Sequence, residues 1–396
     1  MFGIEERFPA PETFSGASDQ LHELAARESG STDFFGDEYR LGLRVLLESM
    51  DYDPRFSERG RNIAWGWLVD SLSARGHAAR AFREHPQTAS APVKGPVVIT
   101  GLHRTGTTAL HKLLAVDERF QGLQGWLLSA PMPRPPRASW EGNPHFRKAC
   151  DQLAARFESV PGMKAAHDMV ADEVDECVGI LCQSFVNTLW TCAWSASSYD
   201  AWWQTQDEGP AFRYHRRVLQ LIGSSEPGKR WLLKEPSHVR NLALLLETYP
   251  DARIIQTHRD PARAVPSLCS LLIQQHPLME VGRLDQRARI MGYRETAKAA
   301  EGLRTAEPLR RAHQDQILDI RHADLHRDPM GTIRKIYPFL GMDLTPEVEA
   351  AMERRVAEAP EAVHGAHSYR ATDFGLTEDE IREQFGDYLD RFDLWP

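Results

Sequence analysis

Cysteine is scarce in this 396-residue chain. The five present, Cys150, Cys177, Cys182, Cys192 and Cys269, are odd in number and form no CxxC pair, and no histidines stand at zinc-finger spacing. That excludes a disulfide scaffold and a zinc module and predicts free or buried thiols in a reducing compartment, the cytoplasm, with no metal. Positive charge is also short. Lys+Arg number 47 against 56 Asp+Glu, a formal net charge of −9, which lacks the electrostatic footprint of a duplex binder, so no nucleic-acid partner is expected. A local basic pocket for a small anion is still allowed. The first eleven residues carry Glu5, Glu6 and Arg7 and no apolar core of a secretory signal. One charge-free run exists, Cys177 to Tyr199, but it contains Gln183, Ser184, Asn187, Thr188, Thr191, Ser195, Ser197 and Ser198. A membrane span would bury all of these in hydrocarbon, so a helix inside the protein is the reading, and no transmembrane segment is expected.

The composition, 42% hydrophobic and 26% charged, is that of a globular protein of two or three domains, or of one large domain with insertions. Up to residue 93 the pattern is helical, with stretches at Tyr39–Met50 and Asn62–Phe82, and a Pro/Ser/Ala/Gly stretch, His85–Pro96, closes it. From 94 to 396 short β-branched runs alternate with helical ones. Val97–Thr100 precedes a helix at Thr107–Leu114, Trp231–Lys234 one at Val239–Thr248, and Arg253–His258 one at Ala262–Gln275. Gln316–Arg321 precedes one near Met330–Leu340, and a last helix falls near Glu378–Phe392. This grammar predicts an α/β fold, a parallel sheet flanked by helices. A helical insertion of about 130–230 lies between the first two strands and opens on Pro131–Pro136. It is the expected acceptor-binding part.

The chemistry sits in the loop Gly101-Leu-His-Arg-Thr-Gly106-Thr107-Thr108. It has the Gly-x4-Gly spacing of a Walker A loop between strand and helix, hence a P-loop-NTPase-like core. Thr107, however, stands where the Walker lysine should be. A loop entering a helix N-terminus points N–H groups at an anion. Thr105, Thr107 and Thr108 add hydroxyls and Arg104 a cation. An anion is therefore expected here, without the lysine that reaches a nucleoside triphosphate.

Arg104-Thr105-Gly106-Thr107-Thr108 resembles the 5′-phosphosulfate loop of the sulfotransferases that use 3′-phosphoadenosine 5′-phosphosulfate (PAPS), the bacterial branch especially. Thr257-His258-Arg259-Asp260-Pro261 with Ser267 eight residues after Arg259 resembles the family's 3′-phosphate signature, an arginine after a strand that can grip a phosphate bidentately. Trp231-Leu-Leu-Lys234-Glu-Pro-Ser-His238 is similar to its strand-ending Lys-x-Pro-x-His. Ile320-Arg-His322-Ala-Asp-Leu325 is similar to an adenine-contacting segment, with His322 in the aromatic position. His367-Ser-Tyr369-Arg370 followed by Phe374 resembles its C-terminal nucleotide loop.

The resemblance covers about residues 95–392. It implies in-line transfer of a sulfuryl group from PAPS, leaving PAP, to a hydroxyl or amine of a small, partly apolar acceptor, with no metal. Arg104 would clamp the phosphosulfate, and Lys234 would steady the bridging oxygen or the sulfuryl group. The base is His238, or Glu173 in the acidic run that includes Asp168, Asp172 and Asp175, or His103. The run reads as a helix with Val170, Val174, Cys177, Val178 and Leu181 on its apolar face. Relatives place a Glu after a Trp before the Pro-rich run, whereas here Trp126 is followed by Leu127. Two rivals stand beside this reading: a kinase or NTPase with a degenerate Walker A, and a PAP-binding protein that lost its base. Phe185, Leu189, Trp190, Trp194, Trp202 and Trp203 either line an apolar pocket or fill a core.

Overall fold

The computed structural model describes residues 3–160, 169–358 and 369–396. It divides into two compact units. Among the described residues the strands are β1 (Val97–Gly101), β2 (Phe120–Gln121), β3 (Leu123–Gln124), β4 (Val174–Asp175), β5 (Arg230–Lys234), β6 (Arg253–His258) and β7 (Ile317–Arg321).

One unit comprises Lys94–Gly122, Gly228–Leu271 and Asp285–Pro396. Its core is a five-stranded sheet in the order β2-β5-β1-β6-β7, and every pairing in it is parallel. β1 is central, with Val97 opposite Leu232 of β5 and Arg253 of β6. All five β1 residues are buried, as a strand covered on both faces requires, hence the β-branched run at 97–100. Side chains alternate across the sheet. Val97, Ile99, Leu232, Ile255 and Ile320 pack with Leu110, Leu114, Ile333 and Ile336 in one apolar cluster. The helices Thr107–Leu114, Leu242–Thr248, Pro261–Ile273 and Pro329–Phe339 follow their strands as the α/β grammar predicts. The expected C-terminal helix is two, Glu378–Glu383 and Tyr388–Phe392.

The other unit comprises Met1–Val93, Leu123–Pro227 and Leu272–Leu284. The N-terminal helices Ser18–Ser29, Arg40–Tyr52 and Glu58–Glu84 therefore share a unit with the helical insertion. Trp65, Trp190, Trp194 and Phe185 are fully buried in its apolar core.

Two sequence expectations are corrected here. The charge-free run is not one helix. It forms Val178–Leu181, short 3-10 turns at Cys182–Ser184 and Thr188–Thr191, and the helix Ser197–Trp203. The polar side chains that argued against a membrane span also break the helix. The Ser184 hydroxyl donates to the Leu181 carbonyl at 2.7 Å and Asn187 accepts from the Leu189 N–H at 2.9 Å, while Phe185 sits at φ 55°. The acidic run is not a helix either. Val174–Asp175 pairs antiparallel with Leu123–Gln124, and Asp168 lies outside the described residues. Among the described residues no helix is long and apolar enough to cross a membrane.

Candidate active site

The site grows from the C-terminal ends of β5, β1 and β6, where ligands of parallel α/β sheets gather. β1 ends at Gly101, at φ 137°, and a Cβ there would lie 2.4 Å from the main-chain oxygen of Thr257 on β6. Only glycine lets the loop leave that close to its neighbour. A Gly101→Ala variant is expected to lose ~1–3 kcal/mol from backbone conformation alone, with a further loss as β6 shifts. Thermal denaturation, read as a melting temperature lower by about 5 °C or more, checks it.

The loop is braced from below. Thr105 is fully buried, and its hydroxyl donates to the Leu102 carbonyl at 2.6 Å and meets the Thr257 hydroxyl at 2.5 Å. Its side chain is thus engaged within the protein, which leaves its main chain as its contribution to an anion. Arg104 is held at φ 66° and Gly106 at φ 89°, and the helix Thr107–Leu114 starts directly afterwards. The macrodipole at that helix end favours negative charge.

Four predicted residues meet around this loop. Arg104 donates from Nε to the Ser267 hydroxyl at 3.2 Å. Arg259, the residue after β6, donates from Nη1 to the Arg104 carbonyl at 2.8 Å. On the other side Lys234, the last residue of β5, donates to the Thr108 hydroxyl at 3.3 Å, although it is only 2% exposed. Asp260 does not neutralise Arg259. It accepts the Ala262 N–H at 2.9 Å and the Arg382 guanidinium at 2.7 Å.

His322 starts the helix that follows β7. Its Cδ2 lies 3.4 Å from where a Cβ on Gly106 would stand, so its ring rests against the loop. Burial first, then the charges of Arg259, His326 and Arg104, push its pKa down to about 4, so it is neutral at physiological pH.

His238 lies in the 3-10 turn after β5, 1% exposed, with its N–H on the Glu235 carbonyl at 3.1 Å. His103 is half-buried on the loop itself. Tyr369 and Arg370 follow 359–368, which lie outside the described residues. The Arg370 side chain is 80% exposed and pairs with Asp373 of its own turn at 3.3 Å. Glu173 belongs to the helical unit, in the turn before β4, with its N–H on the Val170 carbonyl at 3.2 Å. Leu127, also in that unit, is fully buried in the short helix Gly125–Ser129. Sequence reasoning quoted Thr257 in a motif but missed its bracing role, because a lone strand threonine carries no local mark of what it braces.

Arg104, Arg259 and Lys234 with the hydroxyls of Ser267 and Thr108 thus gather on a strand-loop-helix unit of a P-loop-like fold. Residues 96–346 match the Sulfotransferase family, and the chain belongs to that family. It is therefore a sulfotransferase. Its structure is similar to that of the sulfotransferase STF1 from Mycobacterium tuberculosis H37Rv, at 34% identity and a TM-score of 0.83, covering 95% of this chain and 100% of that one. It is also similar to the sulfotransferase STF9 from Mycobacterium avium, at 27% identity and a TM-score of 0.87, covering 99% and 98%. Among curated proteins it is 27% identical over 318 residues to omega-hydroxy-beta-dihydromenaquinone-9 sulfotransferase Stf3 from Mycobacterium bovis, covering 75% of this chain and 74% of the relative.

Proposed function

We propose that the sulfuryl donor is PAPS and that the acceptor is a hydroxyl on a small, partly apolar molecule. The observation that supports this reading most is the placing of two cationic grips on one loop, Arg259 with Ser267 at Arg104 and Lys234 at Thr108. That donor set suits a ligand carrying two separate anionic groups. When bound, PAPS supplies an activated sulfuryl group on a phosphate leaving group. Family membership decides against the kinase reading, in which Thr107 was already the wrong residue.

In this reading the N–H groups of the loop and the Arg104 side chain bind the 5′ end. Arg259 and Ser267 bind the 3′-phosphate, and the His322 ring supports the loop from the β7 side. Lys234, out of bulk water, stabilises negative charge that grows on the leaving oxygen in a loose transition state. A base must take the acceptor proton. His238 is our first choice, because it follows Lys234 in the same unit, and Glu173 is the rival. Tyr369 and Arg370 are proposed to approach the nucleotide as part of the C-terminal segment. We further propose the helical insertion as the acceptor-binding part. A relative named for a hydroxylated dihydromenaquinone supports an alcohol on an apolar body as the acceptor class. The fully buried Phe185, Trp190 and Trp194 belong to the core, while Trp202 lines a cavity of about 280 Å³ of mixed character, with Leu41 and Val186 beside charged residues such as Arg75, Glu208 and Arg213.

Isothermal titration with PAP, the desulfated product, tests the donor. Saturable one-to-one binding is expected. Absence of heat at millimolar PAP overturns the assignment, whatever the acceptor is.

A further inference from the structure

His258 closes β6 and is fully buried. Its ring lies nearly flat on Phe392, with centroids 3.8 Å apart and planes 14° apart. Its Nε2 is 2.8 Å from Asp319 Oδ1 on β7, and its Nδ1 is 2.9 Å from the Tyr388 hydroxyl. Asp319 in turn accepts the Arg310 guanidinium at 2.7 and 2.9 Å.

These distances fix the direction of each hydrogen bond. The carboxylate only accepts, so the imidazole proton sits on Nε2. The bare Nδ1 then accepts, and Tyr388 donates. Burial lowers the His258 pKa and keeps the ring neutral, as this arrangement requires. The Tyr388 hydroxyl is thereby committed to the His258 ring.

None of these groups belongs to the machinery described above, yet all converge on the strand end that carries it. Arg259 is the first residue beyond β6, so the orientation of the His258–Arg259 peptide sets where its guanidinium goes. The helix Tyr388–Phe392 holds the His258 ring, and through it the residue that carries that peptide, by a hydroxyl and a stacked ring.

We propose that Tyr388 is a positioning residue for Arg259, fixing His258 and the peptide after it so that the guanidinium stays at the phosphate loop. The proposal rests on the reading of Arg259 as the grip on the 3′-phosphate.

Tyr388→Phe removes one oxygen and keeps the ring. The PAP dissociation constant is expected to rise about five- to tenfold, the size of one lost hydrogen bond. Affinity for adenosine 5′-phosphate, which has no 3′-phosphate, stays unchanged. KM for PAPS rises in parallel and kcat holds, a split that a general loss of structure would not produce. In an Arg259→Ala background the same change adds less than about twofold, because both act on one contact. Phe392→Leu, which keeps apolar bulk but removes the stacked ring, is expected to show the same selective loss of PAP and serves where Tyr388→Phe does not fold.

Equal weakening of both nucleotides, no weakening of PAP, or full additivity with Arg259→Ala each overturns the proposal. If Arg259→Ala weakens PAP and Tyr388→Phe does not, the positioning role alone fails. If Arg259→Ala leaves PAP binding unchanged, the 3′-phosphate reading fails and takes the proposal with it.

Discussion

A Lys234→Ala enzyme is expected to turn over about 10²–10³-fold more slowly than the native one, the cost of removing one preorganised charge donor, while its affinity for PAP falls by a much smaller factor. Lys234 ends β5, is only 2% exposed, and meets Thr108 in the first turn of the helix that the phosphate loop opens. It is thus held at the loop before any ligand arrives, and a cation so removed from water acts more strongly than one in solvent. Transfer breaks the S–O bond, so the bridging oxygen leaves as one of the 5′-phosphate oxygens of PAP, where its charge is spread over the whole phosphate and shared with the rest of the loop rather than resting on the lysine alone. The lysine's contribution therefore falls on the transition state more than on product binding. Initial rates together with titration of PAP separate the two. A kcat within a few-fold of native removes Lys234 from the chemistry. Lys234→Arg is not a safe rescue, because a planar guanidinium does not replace a compact ammonium at a buried strand end.

Arg259→Ala is expected to do the reverse, weakening PAP strongly. A charge-assisted hydrogen-bonded grip is worth about 2–3 kcal/mol, roughly 30- to 150-fold in dissociation constant. The guanidinium is half-buried and bonded to the Arg104 carbonyl. The carboxylate next to it in sequence, Asp260, is drawn away by Arg382 and by the start of the following helix. The positive charge of Arg259 is therefore available to a phosphate. Titration with PAP and with adenosine 5′-phosphate checks the assignment. A loss confined to PAP places the arginine on the 3′-phosphate, and equal losses for both nucleotides place it elsewhere.

The β1-loop-helix unit was legible in the sequence because each part has a local cause: a β-branched run that must be buried, glycines at Gly101 and Gly106 that take positive φ, and threonines at a helix start. Arg104, Lys234, Arg259 and Ser267 were legible because residues at the ends of adjacent parallel strands and the helices after them converge wherever they stand in sequence. The helical unit was less so. Absence of charge over 177–199 signals burial, but burial does not distinguish a helix from short turns, and the hydroxyls and Asn187 decided for turns. The valines of the acidic run fit a helical face, yet β4 pairs with β3 through main-chain bonds to a segment fifty residues away, which no local pattern encodes. The helix Leu284–Ala312 was not anticipated, because its many arginines and glutamates blur the apolar stripe and Pro308 interrupts it. Thr105 looked like a ligand-facing hydroxyl, but its direction depends on Thr257 of another strand.

The register of β1 has a kinetic consequence. Val97 pairs with Leu232 on one side and with Arg253 on the other, so the strand that opens the phosphate loop has no local partner. Long segments must close before the first of these pairings forms, and such non-local topology folds slowly. During synthesis the ribosome releases the loop well before β5 and β6 exist to support it. The nascent chain thus carries the loop sequence without the folded loop, and any ligand of the native site stabilises only the chain that has completed its sheet.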